Sequence, residues 1–191
     1  MDVDEELMTR STRDPLAFEP LVDRHSAILH AYLARRCGPA ADDLLSAVWL
    51  AAYERRADYD AGLGPVRGWL FGIARNHVLA HWRRVAPTAA AAGYPQDNDE
   101  GGGWDAVDAR LDAAALGPAL RAALRELPQV ERELLLLTAW EQLTPAEAAH
   151  VAGIPAGTAR SRLHRARSRM QQMLSARHGT DRAGQPVPTS K

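Results

Sequence analysis

Residues 143–170, LTPAEAAHVAGIPAGTARSRLHRARSRM, restrict the possible fold more than any other stretch of this chain. Thr144 can cap a helix, Pro145 loses nothing by lacking an N–H in a first turn, and Glu147 stands where it closes a capping box. A helix is therefore predicted from about Pro145. It should end near Ala152, because Gly153 tolerates a left-handed backbone and Pro155 can open a helix but not continue one. From Ala156 the apolar residues Ala159, Leu163, Ala166 and Met170 recur at the spacing of one face of a second helix. Its other faces hold Arg160, Arg162, Arg165, Arg167 and Arg169, with no Asp or Glu in the run. A short capped helix, a glycine turn and a basic second helix are the parts of a helix-turn-helix. In that motif the second helix enters the major groove, where arginine reads base edges and neutralises phosphate. A solvated basic face on a plain helical hairpin is the simpler alternative, but a row of arginines without an acid, directly after that turn, favours DNA. His164 lies on the side of Arg160, placed either to contact a base or phosphate or to face solvent.

The formal charge of −1 conceals how charge is distributed. Residues 1–86 carry 11 arginines against 12 acids, residues 87–120 carry 1 against 6, and residues 121–191 carry 11 basic residues against 6 acids. Only the last has the balance of a polyanion binder. With 191 residues, 46% of them hydrophobic, two small domains can each bury a core. The single cysteine, Cys37, excludes an internal disulfide and fits a reducing compartment. No apolar run reaches the length of a membrane span, and the acidic start MDVDEELMTR lacks the basic region of a signal peptide. A cytoplasmic protein without membrane insertion is expected.

Residues 1–13 read as polar and disordered. After Asp14-Pro15, the positions Phe18, Leu21, Val22, Ile28, Leu29, Tyr32 and Leu33 mark a helix to Arg36, which Pro20 should start or kink. Gly38-Pro39 separates it from a second helix to about Arg56, buried through Leu44, Leu45, Val48, Trp49, Ala52 and Tyr53. A third helix is predicted from Pro65 to about Val85, with Val66, Trp69, Leu70, Ile73, Ala74, His77 and Val78 inward. Around its far end fall Arg75, Asn76, Trp82, Arg83 and Arg84, a mixture of rings and guanidinium groups suited to unstacked bases. Trp69 fits a core role better, and Trp82 would equally serve as a lid over the bundle. Residues 87–115, rich in Ala, Gly and Asp, read as a flexible linker. A helix through Leu116, Leu120, Ala123, Leu124 and Leu127 stops at Pro128, another carries Val130, Leu134, Leu137 and Trp140, and the tail from about Arg177 should be loose. The expected fold class is all-α, with two small helical domains. A three- to four-helix bundle over 14–86 and a helix-turn-helix domain over 116–175 are joined by the linker, and 176–191 forms a disordered tail.

The segments AFEPLVDRHSAILHAYLARR, DDLLSAVWLAAYERR, GWLFGIARNHVLAHWRR and LRELPQVERELLLLTAWEQLTPAEAAHVAGIPAGTARSRLHRAR occur in that order. Together they resemble the extracytoplasmic-function (ECF) sigma factors of bacterial RNA polymerase, a group of the sigma-70 family. The resemblance spans about residues 15–85 and 116–172. It implies an N-terminal domain that melts and reads the −10 promoter element and docks on the β′ clamp of core RNA polymerase. It also implies a C-terminal domain that reads the −35 element and meets the β flap. The base-capturing asparagine falls on Asn76 beside Arg75, and the basic helix end on Arg83 and Arg84. The −35 readers fall on Arg160, Ser161, Arg162, His164 and Arg165, with Thr158 near a phosphate at the helix start. Clamp docking falls around Asp43 and Leu44 on the second helix, although Ser46-Ala47 stands where the family often has Gln-Glu or Gln-Asp. The acidic linker would thread toward the polymerase's nucleic-acid channel. An anti-sigma factor is the family's common means of silencing.

An enzyme is not expected. No nucleophile elbow, phosphate-cradling glycine loop or paired Cys motif is present, and no cofactor is implied. His77 and His81 stand one helical turn apart, but without a cysteine or an intervening Glu they do not make a metal site. The competing reading is a stand-alone helix-turn-helix regulator whose N-terminal bundle senses a ligand or partner.

Overall fold

A computed structural model describes residues 3–91 and 117–183, and among them every regular element is helical. The front unit consists of α1 (Val3–Ser11), α2 (Glu19–Cys37), α3 (Ala41–Glu54) and α4 (Val66–Ala91). The rear unit consists of α5 (Gly117–Arg125), α6 (Gln129–Ala139), α7 (Pro145–Ala152) and α8 (Ala156–Ala183). The all-α class and the two helical units match the sequence reading.

The first helix corrects it. Residues 3–11 are helical because three acids, Asp4, Glu5 and Glu6, stand in the first turn, where the helix dipole favours them, and Met8 buries its side chain. Asp4 then accepts from Arg24 and sits 2.7 Å from His25 Nε2, which ties α1 to α2. Polarity looked like disorder because its partners lie some twenty residues away.

Asp14 accepts from the Leu16 N–H at 3.1 Å and caps a 3-10 turn, Pro15–Phe18; Pro20 then falls in the first turn of α2, starting the helix rather than kinking it. Helices α2, α3 and α4 enclose Leu21, Leu29, Leu33, Val48, Ala52, Val66, Leu70 and Ala74. Phe71, which the expected apolar face of α4 omits, is also buried and meets Tyr32 edge to face at 5.2 Å. Two helices outlast their expected ends, α4 passing Pro87 to Ala91 and α8 reaching Ala183. Residues 92–115 of the expected linker and 184–191 of the tail lie outside the described residues.

The two units are packed on one another. One hydrophobic cluster runs from Met8 and Leu21 through Leu70 and Val78 into Leu134, Leu137, Ala148, Val151 and Leu163 of the rear unit. A smaller cluster, Ala123, Leu124, Leu127, Leu136, Ala166 and Met170, belongs to the rear unit alone. Helices α4 and α7 approach closely at Gly68, where a Cβ would lie in van der Waals contact, 3.5 Å from the Cα, Cβ and Cγ of Glu147, so that a side chain larger than a methyl group would push the helices apart.

Candidate nucleic-acid interface

The helix-turn-helix is built as its local chemistry dictates. Thr144 Oγ1 accepts from the Glu147 N–H at 3.2 Å, and the Glu147 carboxylate accepts from the Thr144 N–H at 2.7 Å, so both members of the capping box are in place. Gly153 has φ +68°, the left-handed turn that ends α7. On α8 the stripe Ala159, Leu163, Ala166 and Met170 is buried. That orientation leaves Arg160, Ser161, His164, Arg165, Arg167 and Arg169 exposed, with Thr158 and Arg162 half-buried.

The arginine row is less free than its sequence suggests. Glu131 of α6, itself buried, accepts from Arg169 at 2.8 Å and lies 3.8 Å from Arg165 Nε. An acid absent from the run therefore reaches it from another helix, steadying the side of α8 that carries Arg165.

On the front unit, Asn76 is exposed on α4, as are Arg83 and Arg84 near its end. Arg75 points elsewhere: its Nε and Nη2 donate to the two carboxylate oxygens of Glu133 at 2.5 and 3.1 Å. The hydrogen bond to Glu133, with the charge of that carboxylate, leaves the guanidinium more firmly protonated than usual although burial pulls the other way. Trp69 packs against the core, edge to face with Tyr59 at 5.7 Å, and Trp82 packs there too beside His81. Both tryptophans therefore play the packing role. His77 is held toward its neutral form, first by burial and then by the nearby charge of Arg84.

The candidate clamp-docking residues part company. Asp43 is exposed, but Leu44 is 5% exposed and belongs to the core, so its side chain offers nothing to a partner. The open face of α3 instead carries Asp43, Ser46, Leu50 and Glu54, and Leu50 is 60% exposed. Helical periodicity carried that signal: Leu50 lies off the buried line of Leu44, Val48 and Ala52.

Residues 21–88 of the front unit match the family model of sigma-70 region 2, and residues 118–170 match that of sigma-70 region 4. The ECF RNA polymerase sigma factor SigL of Mycobacterium tuberculosis is 30% identical over 151 residues, covering 75% of this chain and 81% of that one. The RNA polymerase sigma factor CnrH of Cupriavidus metallidurans is 33% identical over 173 residues, covering 84% and 87%. This chain belongs to the ECF group of the sigma-70 family. A solved structure of CnrH in complex with the cytosolic domain of CnrY superposes with a TM-score of 0.61 at 26% identity, covering 92% of this chain and 99% of that one. As an ECF sigma factor the chain directs RNA polymerase to promoters, and region 2 at its front leaves the stand-alone regulator without support. No helix among the described residues is long and apolar enough to cross a membrane.

Proposed function

We propose that this sigma factor divides promoter reading between its two units, residues 14–86 and 116–175. On the rear unit, Arg160, Ser161, His164 and Arg165 meet base edges of the −35 duplex, while Thr158 and Arg162 flank them at the backbone. On the front unit, Asn76 captures an unstacked −10 base through its amide, and Arg75, Arg83 and Arg84 hold phosphates around it. Pocket contacts of this kind offset the few kcal/mol that unstacking costs. The observation that carries the reading is the exposure of Arg160, Ser161 and His164 on α8 directly beside the buried stripe that seats that helix.

The β′ clamp docks on α3 through Asp43, Ser46 and Leu50, an apolar anchor within a polar rim. The β flap takes the shallow groove lined by Leu135, Met170 and Leu174. The function involves no covalent chemistry, and the chain works in the cytoplasm, where its polymerase is. An anti-sigma protein holds it in reserve, the common means of silencing in its family.

The test is promoter-dependent transcription with purified core polymerase. The chain should yield start-site-specific transcripts, and Arg160→Ala with Arg165→Ala should abolish output from a promoter that depends on its −35 element. Unchanged output from that double variant overturns the reading.

A further inference from the structure

Four arginines of the front unit end on the rear unit. Arg35 and Arg36, at the end of α2, both donate to the Glu141 carboxylate, Arg36 at 3.1 Å. Arg67 Nη2 donates to the Glu141 carbonyl oxygen, and Arg75 holds Glu133 with both arms of its fork. The Glu141 side chain is 2% exposed and that of Arg36 is 7% exposed. Gln142, next in the chain, takes φ +53°, a conformation that a non-glycine residue rarely adopts. It turns the α6–α7 connection so that Glu141 faces the front unit. Arg67 and Arg75 lie two turns apart on α4, and Arg75 adjoins the exposed Asn76.

A promoter cannot be read in this arrangement. Elements named −35 and −10 are about 25 base pairs apart, roughly 85 Å at 3.4 Å per base pair. A packed chain of 191 residues has a radius of gyration of only about 16 Å. The units must separate, and separation takes the carboxylates away from Arg35, Arg36 and Arg75 and the Glu141 carbonyl away from Arg67.

We propose that Glu133 and Glu141 stand in for nucleic-acid phosphates. They occupy Arg35, Arg36 and Arg75, which with Arg67, held on the Glu141 carbonyl, form a cradle that takes backbone phosphates of the opened DNA strand once the rear unit leaves. This rests on the promoter-reading function and adds a control on its front site. A carboxylate presents two oxygens to a guanidinium fork much as a phosphate does, so the arginines are satisfied in both states. Free sigma factor thus ignores stray single strands, and polymerase uncovers the cradle by holding the units apart.

The test uses the full chain without polymerase and a short fluorescent single-stranded DNA of random sequence. Binding is titrated at several salt concentrations, and small-angle scattering reports the radius of gyration. Two variants open the interface by different means: the pair Glu133→Gln and Glu141→Gln removes the internal anions, while Gly68→Leu wedges α4 from α7 and changes no charge. Both should expand the chain and bind the strand about tenfold more tightly, with a salt dependence steeper by about 0.7 for each arginine that gains a phosphate. Adding Arg67→Ala to the Gln pair should remove part of that gain. Expansion without tighter binding overturns the proposal, and so does a chain that retains its helix content, stays compact and binds no better. Should the Gln pair lose helix content, the outcome with Gly68→Leu decides. With polymerase absent, failure here leaves the transcription test standing, and failure there leaves this one interpretable.

Discussion

The arginines of α8 and those of the front unit look alike in the sequence and are employed in opposite ways. Along α8, Arg160 and Arg167 stand in solvent, and only Arg165 and Arg169 are steadied by Glu131. In the front unit, Arg36 and Arg75 are pressed against acids of the other unit, and Tyr32 supports Arg36 with its ring 3.8 Å away. The first set is available charge, ready for a polyanion. The second is charge already spent, and releasing it means breaking contacts between the units. Formal charge therefore says little about binding until the partners of each group are known.

The comparison can be broken most forcefully at the shared core. Phe71→Ala should cost about 3–5 kcal/mol and loosen both units together, because one hydrophobic cluster runs through them. Chemical denaturation should show a single transition by far-UV circular dichroism and by tryptophan fluorescence. Two separated transitions would mean that the units are merely adjacent.

Glu141→Ala comes next. It leaves Arg36 buried without its anion, for an expected loss of about 3–5 kcal/mol in equilibrium unfolding, since stripping one partner from a buried pair is far worse than removing both. Arg160→Ala should do the reverse. Stability should move by less than about 0.5 kcal/mol, whereas affinity for −35 duplex, measured by anisotropy, should fall by about 1–3 kcal/mol. If the two arginine sets responded alike, the contrast drawn between them would be lost.

Thr144→Ala should cost about 1 kcal/mol in melting experiments by removing one half of the capping box at the start of α7. The smallest effect concerns Cys37, whose thiol burial pushes up to about 11. A raised folded-state value means that the stabilisation is fully present below the ordinary thiol range and is lost as pH rises toward 11. At pH 8 iodoacetamide should label the native chain far more slowly than the unfolded one.

Much of the rear site was legible because its determinants are local. Thr144, Pro145, Glu147, Gly153 and the stripe from Ala159 to Met170 act within a turn or two of one another, and the chain folds there as the pattern dictates. Asn76 was placed by resemblance, and the structure finds it exposed. Leu44 went astray because the second helix needs to know which side the bundle lies on, and Leu50 is exposed for the same reason.

By itself the sequence determined the helices after α1 and where most of them start, the capping box at Thr144, the buried stripe of α8, and family membership through motifs that keep their order. Tertiary structure alone decided that residues 3–11 are helical, that Glu131 reaches into the arginine row, and that Arg35, Arg36, Arg67 and Arg75 close on the other unit. The physical reason is range. Backbone propensity and capping are settled within a few residues, whereas an ion pair such as Arg36 with Glu141 joins positions 105 residues apart and exists only once packing has brought them together.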